Sequence, residues 1–212
     1  KRIIPSLIRK FHFLNINSIY NIDNFKIKLN LKNFLEKKIF LENSFEKNQL
    51  NFLKENIKNI EFDYFIDVGS YIGYYTLYFS RFPNIKNIIS IEPNDQSYNN
   101  LIKNISLNKL KNVITYNVAC SEKDGFAKIW YSDTKKMGGS ALLDDTDFEY
   151  KKYNLNPKLN NDHLKKHYNK TYKDYKKSKK NFIYQDTRTQ KLDNILSVTN
   201  KKLLIKIDVE RH

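Results

Sequence analysis

The sequence is poor in cysteine, glycine and proline, since its 212 residues contain one cysteine, five glycines and four prolines. The single cysteine, Cys120, excludes an internal disulfide and a cysteine-based zinc site, and it favours a reducing, cytoplasmic location. No run of about 18 apolar residues is present, so we expect no transmembrane helix. The opening stretch, KRIIPSLIRKFHFLNI, lacks the unbroken apolar core and the small-residue cleavage site of a signal peptide.

Acidic residues are also scarce: 23 aspartates and glutamates face 38 lysines and arginines, which gives a net charge of +15. Such a field suits nucleic acid, an anionic membrane surface or a phosphate-bearing substrate. Lysine, asparagine and isoleucine are abundant along the whole chain, however, and this indicates a bias of composition. We therefore do not expect nucleic acid as a partner, and we expect a small-molecule or glycan acceptor that is anionic or lipid-linked.

The hydrophobic pattern divides the chain into two regions. Residues 1–60 are predicted to form a helical N-terminal lead-in, because SFEKNQLNFLKENI spaces its apolar residues as a helix does. Residues 61–212 are predicted to form the core domain, with a basic, polar insertion at about 144–181.

Strands and helices alternate in the first part of the core domain, which indicates parallel βαβ units. The predicted strands are 64–68, 87–92 and 112–120, and the predicted helices are 73–82 and 97–107. Further along, the pattern predicts a hairpin strand at 126–131, a glycine loop at 137–143, a strand and short helix at 182–196, and a last strand at 202–210.

Two of the five glycines follow the first of these strands, in YFIDVGSYIGYYTL. The pattern from Asp67 through Gly69 to Gly73 is D-x-G-x-x-x-G, which differs from the G-x-G-x-x-G of dinucleotide folds. Glycine here permits a positive φ in a tight turn and lets the backbone approach a ligand. Glu92 ends the second strand, where a carboxylate can accept both hydroxyls of a ribose. An amino acid joined to a ribose without phosphates describes S-adenosylmethionine (SAM), the cofactor that we expect.

Six segments in order carry a resemblance to a known family: FIDVGSYIGYYTL, IEPNDQSYNNLIKNISLN, NVACSEKDG, MGGSALL, TRTQKLDNIL and LLIKIDVE. Together they resemble the FkbM-type SAM-dependent O-methyltransferases. The resemblance implies the class I methyltransferase fold, an α/β, doubly wound, mostly parallel Rossmann-like sheet. It also implies methylation of a hydroxyl on a carbohydrate or glycolipid-type acceptor.

The chain departs from that family in three ways. Ser70 stands where the family has asparagine, and Arg211 follows IDVE where the family has glycine. The chain ends at His212, about three strands short of a class I sheet, so we expect the C-terminal strands to be missing.

The fold and the resemblance together predict the site residues. The amino-acid end of SAM is expected at Asp67, Gly69, Ser70 and Gly73, the ribose at Glu92, the adenine edge at Asn94, and the adenine face along the backbone from Ala119 to Ser121. For the general base that removes the hydroxyl proton, Asp208 is the first candidate and Glu210 the second, on the same side of an extended strand. No metal is predicted, because two carboxylates without a third clear ligand do not make a site.

Two other functions stay open. One is an RNA ribose methyltransferase, which would bind RNA with a steep salt dependence. Methylation of a base nitrogen is disfavoured, because the sequence has no Asn/Asp-Pro-Pro-Tyr/Phe motif. The other is a truncated, non-catalytic SAM-binding fragment, which would melt with poor cooperativity.

Overall fold

A computed structural model describes residues 17–132, 140–142, 182–196 and 200–209. Fifteen elements lie in these ranges: β1 (Asn17–Ile22), β2 (Phe25–Asn30), α1 (Phe34–Glu42), α2 (Lys47–Ile57), β3 (Phe62–Val68), α3 (Tyr74–Phe79), β4 (Ile85–Ile91), α4 (Asp95–Leu107), β5 (Val113–Tyr116), β6 (Ala119–Cys120), β7 (Gly125–Ser132), β8 (Ser140–Leu142), β9 (Phe182–Gln190), α5 (Leu192–Leu196) and β10 (Leu203–Ile207). None of the helices in these ranges has the length and apolarity that a membrane crossing requires.

The central sheet of the described residues is parallel and has the strand order β10-β3-β4-β5. The chain moves outward from β3 to β4 and β5, and β10 later pairs with the other side of β3. The strand order therefore reverses between β3 and β10, and in open α/β sheets ligands bind at such a switch point. The predicted parallel α/β architecture is confirmed.

Both faces of this sheet are covered, as a doubly wound sheet requires. Neighbouring residues of β3 point to opposite faces, because side chains alternate along a strand. Phe65 packs in one buried cluster with the hairpin, α1, α2 and α3, whereas Ile66 packs in a second cluster with Ile195 and Leu196 of α5. Apolar residues on both faces of one strand explain why its sequence is a continuous apolar run rather than an alternation.

The helical lead-in predicted for residues 1–60 is wrong for 17–30, which form the antiparallel hairpin β1–β2. Its turn residues, Asp23 and Asn24, have φ values of +50° and +67°, as a two-residue turn that matches strand twist requires. The second half of the lead-in is helical, in α1 and α2. Residues 1–16 lie outside the described ranges, and the proposed domain boundary near residue 60 stays a prediction.

Two side-chain amides, one on α4 and one at its C-cap, fasten the hairpin to the core domain. Asn104 is fully buried, accepts from the backbone N–H of Lys28 at 2.7 Å and donates to the carbonyl of Ile72 at 2.8 Å. Asn108, one turn further on, exchanges two hydrogen bonds with the backbone of Lys26, at 2.9 and 2.6 Å. The hairpin is thus held against the loop that follows β3.

A second sheet has the order β6-β9-β7-β8. The strand predicted at 112–120 is two strands, because β5 joins the central sheet whereas β6 pairs with β9. The predicted hairpin strand is confirmed as β7, antiparallel to both β8 and β9. Of the predicted glycine loop, residues 140–142 form β8. The predicted insertion lies outside the described residues.

Candidate cofactor-binding site

The carboxyl ends of β3, β4 and β10 meet at one edge of the central sheet. The backbone N–H of Gly69 donates to the carbonyl of Ile91 at 2.9 Å, which joins the turn after β3 to the end of β4. On the other side, the N–H of Asp208 donates to the carbonyl of Val68 at 3.1 Å. The acidic residues predicted at these strand ends are therefore brought to one edge.

The two glycines of the turn are required by backbone conformation and by close packing. Gly69 has φ +75° and Gly73 has φ +88°, both in the left-handed region that glycine adopts without strain. A Cβ at Gly69 would stand 2.1 Å from the carbonyl oxygen of Asp208, and one at Gly73 would stand 2.5 Å from Cδ1 of Leu101. Neighbouring protein groups thus occupy the space that a side chain would need.

Ser70 braces the turn from inside. Its hydroxyl donates to the carbonyl of Asp67 at 2.7 Å and accepts from the backbone N–H of Ile91 at 3.0 Å. The side chain is buried. The hydroxyl proton is therefore already donated to a backbone carbonyl of the turn. A contact between this side chain and the cofactor stays a prediction.

Asp67 is a fully buried carboxylate. Oδ2 accepts from Oγ1 of Thr76 at 2.8 Å, and Thr76 Oγ1 is 2.7 Å from Oγ of Ser90. Within the described residues no hydrogen bond of good geometry reaches Oδ1, although Nζ of Lys206 lies 3.2 Å from it. Lys206 and Asp67 therefore form an ion pair, although the geometry is not that of a hydrogen bond. A buried carboxylate needs a positive charge of this kind nearby.

Sequence reasoning missed Lys206, the next-to-last residue of β10, which reaches the site from that strand. Its Nζ donates to the carbonyl of Gly69 at 3.0 Å and lies 3.8 Å from Oδ2 of Asp208. It also lies over the ring of Tyr75, 5.0 Å from the ring centroid. A lysine in a strand is usually read as a solvent-facing residue, and only the register that pairs Lys206 with Asp67 could have pointed to it.

Glu92 is buried at the end of β4, and both of its carboxylate oxygens face the glycine turn or α4. Oε2 accepts from the backbone N–H of Tyr71 at 2.8 Å, and Oε1 accepts from that of Asn94 at 2.9 Å. Burial raises the pKa of Glu92 to about 7, and the two N–H donors oppose that shift. Each oxygen keeps a second lone pair, so the carboxylate can still accept from two hydroxyls.

Asn94 caps the N-terminus of α4, because its Oδ1 accepts from the backbone N–H of Ser97 at 2.9 Å. Its Nδ2 is buried and has no hydrogen-bond partner among the described residues. A buried amide donor without a partner is costly unless a ligand satisfies it. An orphaned donor beside a carboxylate with spare lone pairs fits the nucleoside part of SAM.

The structure puts Ala119 in β6 of the second sheet and Ser121 directly after that strand. Ala119 pairs with Thr189 of β9, and the N–H of Ser121 donates to the carbonyl of Gln190 at 3.1 Å. Asn117, which was not predicted as a site residue, contacts the end of β4, because its Nδ2 donates to the carbonyl of Glu92 at 3.0 Å. The predicted role of Ala119 and Ser121 at the adenine stays a prediction.

Of the two candidate general bases, Asp208 lies beyond the end of β10 with 69% of its side chain exposed. Its backbone touches the glycine turn, as described above. Glu210 lies outside the described residues. The arrangement leaves the Asp208 carboxylate open to a substrate.

A polar cleft of about 610 Å³ lies next to Tyr71, which forms part of its lining. The hairpin, α1 and α4 form its walls, with Lys28, Lys103 and Gln185 among the lining residues. The Tyr71 hydroxyl donates to Oε1 of Glu36 at 2.7 Å, and burial raises the pKa of Glu36. Tyr71 therefore stands between this cleft and the carboxylate of Glu92.

The parallel sheet, the glycine turn at its switch point and the acidic residue after β4 define a class I methyltransferase domain, whose cofactor is SAM. A more specific match is to the family model of the TRM5/TYW2 methyltransferase domain, which covers residues 54–129. The matched stretch runs from α2 through the glycine turn and Glu92 into β7.

Solved structures of this kind match parts of the chain. TYW2 of M. jannaschii in complex with AdoMet is 24% identical, with 47% of this chain and 42% of that chain covered and a TM-score of 0.36. Trm5b from Pyrococcus abyssi is 17% identical, with 47% of this chain and 27% of that chain covered and a TM-score of 0.36. A complex of aTrm5 and tRNALeu is 19% identical, with 51% of this chain and 30% of that chain covered and a TM-score of 0.39. This chain thus spans less than half the length of these proteins, and no curated protein sequence matches it.

These comparisons correct two predictions. A carbohydrate or glycolipid hydroxyl as the acceptor is wrong, because the matching family model is that of a methyltransferase domain of tRNA-modifying enzymes. The exclusion of nucleic acid as a partner is wrong for the same reason. The FkbM-type resemblance is not supported at the level of the family, although its class, a SAM-dependent class I methyltransferase domain, is confirmed.

Proposed function

We propose that this chain is the catalytic domain of a SAM-dependent RNA methyltransferase and that its acceptor is a tRNA. The observation that carries the proposal is the match of residues 54–129 to the TRM5/TYW2 methyltransferase domain. One of the proteins with a matching structure is described as a tRNA m1G37 methyltransferase. We therefore propose methylation of a nucleobase, in place of the expectation from the sequence that a base nitrogen is disfavoured. The cytoplasm, where tRNA is abundant and the single cysteine stays reduced, is the proposed location.

The proposed cofactor contacts follow the strand ends. The turn from Asp67 to Gly73, including Gly69 and Ser70, takes the amino-acid end, Glu92 takes the ribose hydroxyls, and Asn94 faces the adenine, which Ala119 and Ser121 flank. Bound SAM would supply an electrophilic methyl group, with S-adenosylhomocysteine as the leaving group. The orphaned Nδ2 of Asn94 and the spare lone pairs of Glu92 support this placement.

Asp208 is the proposed general base. Its carboxylate is exposed at the switch point, and its backbone is in contact with the glycine turn. In that position it can accept the proton that the acceptor nitrogen loses as it is methylated. Glu210 is the second candidate, two residues further along the chain.

The polar cleft is the proposed contact surface for the RNA nearest the cofactor. Lys28 and Lys103 supply positive charge for phosphates, and Gln185 supplies an amide with both a donor and an acceptor. The net charge of +15 adds an attractive field over a longer range. Tyr71 contacts both this surface and Glu92, because its hydroxyl donates to Glu36 in the cleft and its backbone N–H donates to Glu92.

The test is transfer of a labelled methyl group from SAM to unmodified tRNA transcripts. DNA oligonucleotides of the same sequences are the control. We expect label in the RNA only, and nuclease digestion with mass spectrometry then separates base from ribose methylation. Asp208→Asn should lose most of the transfer and still bind S-adenosylhomocysteine (SAH) at a concentration that saturates the site. A wild-type chain that binds SAH but neither binds nor methylates any tRNA would refute the proposed acceptor.

A further inference from the structure

Lys206 holds its ammonium among oxygen atoms at the switch point. The carbonyl of Gly69 is 3.0 Å away, Oδ1 of Asp67 is 3.2 Å away, and Oδ2 of Asp208 is 3.8 Å away. Only 17% of the side chain is exposed. Three oxygen atoms and the ring of Tyr75 together make a cation site that a lysine of the chain itself fills.

This set of oxygens is also the chemistry that a free amino-acid ammonium needs. The backbone carbonyl and the buried carboxylate can accept two of the three N–H donors of an ammonium, and water can accept from the third. The proposed function puts the amino-acid end of SAM at this same turn. Two ammonium groups within a few ångströms repel each other strongly where water is largely excluded, so both cannot stay there.

We propose that the ammonium of Lys206 occupies the subsite that receives the α-ammonium of SAM, and that the cofactor displaces it on binding. The inference rests on the proposed placement of the amino-acid end of SAM. Without cofactor, Lys206 compensates the charge of Asp67, which has no exposed surface. With cofactor, the four-carbon stem lets the ammonium swing toward Asp208, whose carboxylate is 3.8 Å away and open to solvent.

Displacement by the cofactor's ammonium has a signature in binding. SAH carries the α-ammonium, whereas 5′-methylthioadenosine carries the same nucleoside without the amino acid. Lys206→Met removes the competing cation and leaves Asp67 without its charge partner. We expect SAH to bind this variant at least about tenfold more tightly than wild type, whereas the affinity for methylthioadenosine stays within about twofold.

Lys202→Met is the matched control, because Lys202 is exposed just before β10 and its loss changes the net charge equally. Both ligands should bind it as they bind wild type. A parallel change for both ligands in Lys206→Met, or weaker binding of SAH, would overturn the proposal. A folded wild-type chain that binds neither ligand would instead refute the placement of the cofactor, and the Lys206 proposal with it.

A measurement on the wild-type chain covers the case in which the variant does not fold. Lysine acetylation by a limited amount of acetic anhydride, mapped by mass spectrometry, reports how exposed each ammonium is. We expect SAH to increase the labelling of Lys206 at least about threefold relative to Lys202, and methylthioadenosine to leave that ratio unchanged. Equal or lower labelling of Lys206 with SAH would overturn the proposal.

Discussion

The carbonyl oxygen of Asp208 occupies the space that a Cβ at Gly69 would need, since the two would be 2.1 Å apart. The turn after β3 and the end of β10 are therefore in backbone contact. This contact sets where the Asp208 side chain stands relative to the glycine turn. It also means that no side chain can be added at position 69 without moving one of the two strand ends.

Gly69→Ala should lower the free energy of unfolding by more than about 2 kcal/mol. The positive φ costs an L-residue roughly 1–2 kcal/mol, and the clash with Asp208 adds to it. Asn43→Ala is the control, because Asn43 has φ +49° and an exposed side chain. Urea denaturation measures both variants. Equal losses would show that the contact between the turn and β10 adds nothing.

The affinity for SAH should rise with pH through neutrality. Burial raises the pKa of Glu92 to about 7, and only the ionised carboxylate can accept from both ribose hydroxyls. The ionised fraction grows about tenfold between pH 6 and pH 8 for a group with that pKa, and the association constant should grow with it. Calorimetric titration at several pH values measures the effect.

Glu92→Gln is the control for this pH dependence, because an amide does not titrate in that range. Its affinity for SAH should be lower and nearly independent of pH. Stability gives a second readout: the unfolded chain releases the proton near pH 4.5 and the folded chain near pH 7, so the folded state binds more protons between these values. Stability from this group therefore falls as pH rises through that window, and an unchanged pH slope in Glu92→Gln would contradict the assignment.

Asn104→Ala should destabilise the chain more than Asn108→Ala does. Both amides bind the backbone of β2, but Asn104 is fully buried and also holds the carbonyl of Ile72. Leaving buried backbone groups without partners costs about 1–3 kcal/mol, whereas water replaces the exposed bonds of Asn108. Thermal and urea unfolding of the two variants provide the comparison, and a larger loss in Asn108→Ala would show that the hairpin is held mainly at its exposed end.

Replacing Lys28 and Lys103 together by alanine should weaken tRNA binding and leave SAH binding unchanged. Each phosphate contact that is lost reduces the slope of log affinity against log salt by about 0.7–0.9. Lys54→Ala, on the exposed face of α2, is the control variant. Filter binding at several salt concentrations measures the slopes. A double variant with the wild-type slope would exclude the cleft as a phosphate-binding surface.

The parallel core and its switch point could be predicted because each signal is local. Asp67, Gly69 and Glu92 stand at the ends of apolar runs, and parallel strands place such ends at one edge of the sheet. The hairpin was missed although its signal is present: alternation in β1 and β2 on either side of the Asp23–Asn24 turn. The helical spacing just beyond it was extended backward over residues that alternate with a period of two.

Other features depend on contacts between distant parts of the chain and could not be predicted. Lys206 reaches Asp67 only because β10 pairs in register with β3, 139 residues apart in sequence. The chain leaves the central sheet at Asn117, where its side chain binds the carbonyl of Glu92 and the backbone turns toward β9. The acceptor was predicted wrongly because it followed from the FkbM-type resemblance, and nucleic acid was set aside because the positive charge was attributed to composition alone.

The central claim is that the glycine turn and Glu92 hold SAM, and calorimetric titration of the chain with SAM and SAH tests it most directly. Glu92→Ala is the test variant, and Asp95→Ala, an exposed acid at the start of α4, is the control. We predict micromolar binding by wild type and by Asp95→Ala, and at least about tenfold weaker binding by Glu92→Ala. A folded wild-type chain that takes up neither ligand, or equal binding by both variants, would contradict the account.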